Sequence, residues 1–123
     1  TQVDKDGALT IYLMDHGDVD TVYLDKPQQQ WVTPAELNEW LNQLEAARPG
    51  LKINVIIEAC YAGSFISGPQ TISKAGRVVI ASTRDDFVAW ASEAGAIFSD
   101  QFIAALNRRS SLDSSFQDGQ AAA

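Results

Sequence analysis

Apolar positions in this chain fall into runs of strand length alternating with stretches of helical spacing. Residues 8–14 form a continuous apolar and β-branched run after an Asp6-Gly7 turn signal, which predicts a buried strand. Residues 51–58 predict a second strand, and Arg77-Val78-Val79-Ile80-Ala81-Ser82 a third after the Ala75-Gly76 turn. Val19 to Leu24 alternates and predicts a short exposed strand or hairpin arm.

Between the first two runs, Thr33-Pro34-Ala35-Glu36 has the form of a helix start: Thr33 as N-cap, Pro34 at the first helical position and Glu36 closing a capping box. Leu37, Trp40, Leu41 and Leu44 then recur at helical spacing as one apolar face, and Arg48-Pro49-Gly50 supplies the breakers. Gly63 to Gly76 predicts a short helix or loop and a connector. Ile97, Phe98, Phe102, Ile103 and Leu106 describe an amphipathic helix starting near Gly95, and Ser111 to Ala122 another with Leu112 and Phe116 inward. Strand–helix–strand alternation of this kind predicts a parallel α/β sheet with helices on its faces, built here on three convincing central strands.

Composition narrows the class. The chain has 123 residues, 46% hydrophobic and 20% charged, which is enough for one domain with a buried core. Its formal net charge of -7, with Arg108-Arg109 as the only basic run, argues against a nucleic-acid surface. A single cysteine excludes an internal disulfide framework, and the partners for a structural zinc site are absent, so no metal or cofactor is expected. No apolar stretch approaches the roughly 20 residues that span a bilayer. Thr1 does not resemble a natural start and the final Gln-Ala-Ala-Ala stops without a cap, so residues 1–123 are expected to be one partial domain of a larger protein.

The chain's only histidine and only cysteine each follow a hydrophobic run: Asp15-His16-Gly17-Asp18 after the first, Glu58-Ala59-Cys60-Tyr61-Ala62-Gly63-Ser64 after the second. In a parallel sheet, strand C-termini open onto the crevice where open α/β proteins place their sites. An imidazole brought beside a thiol there can take its proton and make a nucleophilic thiolate. Gly17 leaves room for a substrate carbonyl, and the Gly17 and Cys60 amides are candidates for an oxyanion hole. A lone cysteine at a strand end is by default a small buried hydrophobe; the joint placement of both residues beside glycines raises the catalytic reading.

These two motifs resemble those of the legumain-type cysteine peptidases (peptidase family C13) of the caspase-like clan. The similarity continues through Val79-Ile80-Ala81-Ser82-Thr83 and Gly95-x-x-Phe98-Ser99, from about Ala8 to Leu106. The resemblance implies a caspase/haemoglobinase-like parallel-sheet α/β sandwich. It also implies His16 as general base and acid, Cys60 as nucleophile, and an acyl-enzyme hydrolysed by water or captured by an amine. The substrate is then a peptide or protein. Glu58 matches a family position lining the pocket for the residue before the cut, and Asp15 matches the aspartate beside the histidine. Ser82 and Trp90 are further substrate-binding candidates, Trp90 as a pocket wall or as rim packing.

The chain also departs from the family. Ala96 stands where an acid follows the glycine, Arg84 to Trp90 replaces the pocket serines, and the strand supplying a pocket arginine is absent, so cleavage after asparagine is unsupported. Asp15, Asp18 and Glu58 make a basic residue before the cut conceivable on charge grounds. A partner chain or a further N-terminal segment is expected to complete the sheet and cover the edge left by the first strand. Two other readings stand beside the peptidase: a catalytically inactive interaction module of the same fold, and a flavodoxin-like or Rossmann domain with a phosphate at Gly63-Ser64. No Gly-x-Gly-x-x-Gly or Walker motif supports the last.

Overall fold

The computed structural model describes residues 7–92, 95–108 and 111–123; Asp6 of the expected turn and Arg109 of the basic run lie outside the described residues. In chain order the elements are β1 (Ala8–Met14), β2 (Gly17–Asp18), β3 (Thr21–Asp25), β4 (Gln30–Val32), α1 (Pro34–Ala47), β5 (Lys52–Glu58), α2 (Ser64–Ser67), β6 (Arg77–Ala81), β7 (Ala91–Ser92), β8 (Gly95–Ala96), α3 (Ile97–Asn107) and α4 (Leu112–Ala122).

The expected parallel sheet is present, in the order β1-β5-β6. This three-stranded parallel sheet with helices against it is a mixed α/β architecture, compatible with the expected caspase-like fold. β5 is central and buried on both faces, which explains its unbroken apolar run. Ile53, Val55 and Ile57 pack in one cluster with Leu37 and Leu41 of α1 and with Phe65 of α2. Ile56, one step out of phase, packs on the opposite face with Ile80, Phe98 and Phe102, and with Leu112 and Phe116 of α4. The register pairs Leu9, Ile11 and Leu13 with Ile53, Val55 and Ile57, so β1 contributes to the α1 face at the same level.

Two expectations need correction. β1 was expected to be buried, yet none of its residues is, and Met14 is 60% exposed. Its run is continuous like that of β5, but β1 lies at the sheet edge, and its outer side has no strand partner among the described residues. On α1 only Leu37 and Leu41 of the four apolar positions are buried. Trp40 and Leu44 stay 48% and 40% exposed, because the core beneath a single helix on a narrow sheet covers only the centre of the stripe.

The local signals fared better. The capping box forms as expected: Glu36 N–H donates to Thr33 Oγ1 at 3.3 Å, and Thr33 N–H donates to Glu36 Oε2 at 3.0 Å. Ser111 caps α4 through its side chain, and Leu112 and Phe116 turn inward. Residues 21–25 form the middle strand of an antiparallel sheet with β2 and β4, two strands too short to leave a periodic signal. Arg77, at the start of β6, has a fully buried side chain bonded to Glu45, Asn38 and Asn42 of α1, which fastens the helix to the sheet.

Candidate active site

β1 and β5 end side by side. Met14 pairs with Glu58, and the Asp15 amide donates to the Glu58 carbonyl at 3.2 Å, so both chains leave the sheet at one place. The loops that follow are locked together. A Cβ on Gly17 would lie 2.5 Å from the Cys60 carbonyl oxygen and 2.9 Å from the Ala59 Cβ, so only glycine allows this approach. The Asp20 amide donates to the buried Ser64 hydroxyl at 2.9 Å, tying the histidine loop to the helix after the cysteine.

His16 is exposed and Cys60 half-buried. The His16 amide donates to Asp15 Oδ1 at 2.6 Å, and its carbonyl accepts from the Tyr23 amide at 2.9 Å. Asp15 thus holds the backbone of His16 and does not line the neighbouring cavity. Among the described residues no hydrogen bond joins the His16 ring to the Cys60 thiol. Such bonds are often loose in a free enzyme and tighten when substrate arrives.

The turn carrying Cys60 is held by the segment after β6. Tyr61 takes a left-handed conformation, φ 58°, and its amide donates to the Phe87 carbonyl at 2.7 Å. Thr83 Oγ1 donates to the Ala59 carbonyl and accepts from the Ala62 amide, both at 3.0 Å, so one hydroxyl spans the cysteine. Gly63 packs on the Arg84–Asp85 backbone, where a Cβ would meet the Asp85 nitrogen at 2.5 Å. The Cys60 amide itself makes no hydrogen bond among the described residues, which leaves a donor for a substrate oxygen. Sequence reasoning did not find Thr83 or Ser64 as braces; nothing in a hydroxyl's own neighbourhood signals a bond to another loop.

A cavity of about 710 Å³ lies beside this turn. It brings together Glu58, Ser82 and Trp90, three of the expected substrate-binding residues, while His16, Gly17 and Cys60 lie outside its lining. Glu58 is buried. It accepts from the Tyr12 hydroxyl at 3.4 Å and from the Ser99 amide, and Tyr12 and Ser99 hydrogen-bond through their hydroxyls. Burial pushes the Glu58 carboxyl and the Tyr12 phenol above their ordinary ranges. The Ser82 hydroxyl is buried without a partner among the described residues, and Trp90 is 67% exposed. The phosphate reading of Gly63-Ser64 fails on geometry. Gly63 is occupied by the Arg84–Asp85 backbone, and Ser64 is buried with its hydroxyl accepting from the Asp20 amide.

A model of the Peptidase C13 family matches residues 2–118. The chain belongs to the Peptidase C13 family. No curated protein matches it. Membership makes this a chain of the cysteine-peptidase, hydrolase class with peptide or protein as substrate, in agreement with the legumain-like motifs. Among the described residues of this C13 chain no helix is long and apolar enough to cross a membrane.

Proposed function

We propose that this chain carries the catalytic centre of a cysteine endopeptidase, with His16 and Cys60 as a dyad. The observation that carries the reading is the approach of Gly17 to the Cys60 carbonyl, since it sets the histidine loop against the cysteine turn at the strand ends. The His16 imidazole takes the thiol proton, and the Cys60 sulfur attacks the peptide carbonyl. The oxyanion is held by the amides of Gly17 and Cys60. Collapse breaks the C–N bond, the imidazolium proton goes to the departing amine, and the acyl group stays on sulfur as a thioester. Water, deprotonated by His16, releases the acid; an amine in its place makes a new peptide bond. Asp15 steadies His16 through its amide, and Glu58, Ser82 and Trp90 receive the substrate.

The test is the pH dependence of Cys60 alkylation by iodoacetamide in the wild type and in His16→Ala. The wild type is expected to react faster near neutral pH, because the imidazole stabilises the thiolate. Superimposed profiles would show uncoupled groups and favour the inactive-module reading, which the lack of a bond between the His16 ring and the Cys60 thiol among the described residues also suits. A second expectation concerns Gly17→Ala. Forcing the loops apart is expected to slow labelling of Cys60 by a peptidyl acyloxymethyl ketone on the order of 100-fold, the usual scale for ångström misplacement. An unchanged labelling rate would remove Gly17 from the oxyanion site.

A further inference from the structure

The 710 Å³ cavity falls within the range of about 300–1,000 Å³ typical of pockets that enclose a small ligand. Its lining includes Ile80, Phe98 and Phe116 from the core cluster under α3 and α4, with Val88 and Trp90 from the segment after β6. The ionisable groups beside these apolar ones are already engaged within the chain. Glu58 is capped by Tyr12 and by the Ser99 amide, and its burial favours the neutral acid. Asp85 accepts from the Ser67 hydroxyl at 2.7 Å. Arg84 pairs with Asp86 at 2.7 Å and lies over the Phe87 ring at 5.1 Å. At the buried end an incoming lysine or arginine would face Glu58, already bonded by Tyr12 and favoured as the neutral acid by its burial, and an unpaired charge there is costly; Asp85 is exposed.

The cavity is also joined to the nucleophile. Phe87 accepts from the amide of Tyr61, next to Cys60, while Glu58 and Gly63, on either side of the cysteine in sequence, both line the cavity. A peptide acylating Cys60 therefore has its own acyl-side residue nearest to this space. We propose that the cavity receives an uncharged apolar side chain, aliphatic or aromatic, from the residue preceding the cleaved bond. The inference rests on the dyad reading and deepens it, in a direction different from cleavage after asparagine or after a basic residue.

The experiment uses peptidyl acyloxymethyl ketones identical except for Leu, Phe, Asn or Lys at that position, with Cys60 labelling followed by intact mass. The Leu or Phe probe is expected to react fastest, by on the order of 10–100-fold over Asn and Lys. Trp90→Asp and Val88→Asp are expected to shrink this margin. Fastest labelling by the Asn or Lys probe would overturn the cavity assignment and leave the dyad standing. An apolar preference untouched by both substitutions would place the side chain elsewhere and also overturn it. Failure of every peptidyl probe, with iodoacetamide still alkylating Cys60, would remove the dyad reading and this inference together.

Discussion

Cys60→Ala is expected to lower peptide hydrolysis by at least about 10⁴-fold, the scale seen when the attacking atom of a covalent mechanism is removed. The melting temperature should stay within about 3 °C of wild type, corresponding to roughly 0.5 kcal/mol in a domain of this size. The split follows from where Cys60 sits. It is half-buried and belongs to neither core cluster. Its turn is held through backbone groups of its neighbours, with Ala59 and Ala62 bridged by Thr83 and Tyr61 bonded to Phe87. None of those bonds needs the sulfur. Parallel measurements of turnover and thermal melting make the check. Hydrolysis within tenfold of wild type would sink the nucleophile assignment, whereas a large fall in melting temperature would mean the thiol serves packing.

The same contrast between backbone and side chain explains what the sequence could reveal. β5 was legible because burial on both faces demands an unbroken apolar run, and α1 because its cap is a local affair of Thr33 and Glu36. His16 and Cys60 could be singled out as candidates because motif and strand end coincide within a few positions. The edge position of β1 was not, since its composition matches that of a central strand and only the arrangement of the sheet tells them apart. Nor were the partners of Glu58. Tyr12 lies 46 residues before it, and its hydroxyl arrives only because Tyr12 and Glu58 share a sheet face in adjacent parallel strands. Thr83 and Ser64 are ordinary loop hydroxyls until the fold sets them beside Ala59 and Asp20. Counting acids likewise says nothing of their partners: Glu58 accepts from the Tyr12 hydroxyl and Asp85 from that of Ser67, contacts between residues far apart in sequence.

Arg77→Ala is expected to destabilise the fold by about 2–4 kcal/mol, the scale of losing a buried side chain together with its hydrogen bonds to partly buried acceptors. That corresponds to a fall of roughly 10–20 °C in melting temperature. The Arg77 side chain has no exposed surface. Its guanidinium reaches Glu45 at 2.7 and 3.0 Å, Asn38 at 2.7 Å, Asn42 at 2.8 Å and the Ile72 carbonyl at 2.9 Å. Alanine removes the donor from Asn38, from the Ile72 carbonyl and from Glu45 Oε1 and opens space between α1 and β6, while Lys74 still donates to Glu45 Oε2 and to Asn42 Oδ1, both at 3.1 Å. Arg77→Met keeps most of the volume and should cost less, so it stands in if the alanine variant does not fold. The pH dependence identifies the cause. Hydrogen bonds from Arg77, aided by Lys74, pull the Glu45 carboxyl from 4.5 to about 2 against the opposing effect of burial. A carboxyl depressed by folding adds stability above its unfolded pKa and loses it as pH falls towards the folded one. Thermal melts from pH 5 down to pH 2 should therefore show a steeper loss in the wild type than in either Arg77 variant. Parallel curves would mean that the guanidinium holds α1 by packing alone and that its charge is incidental.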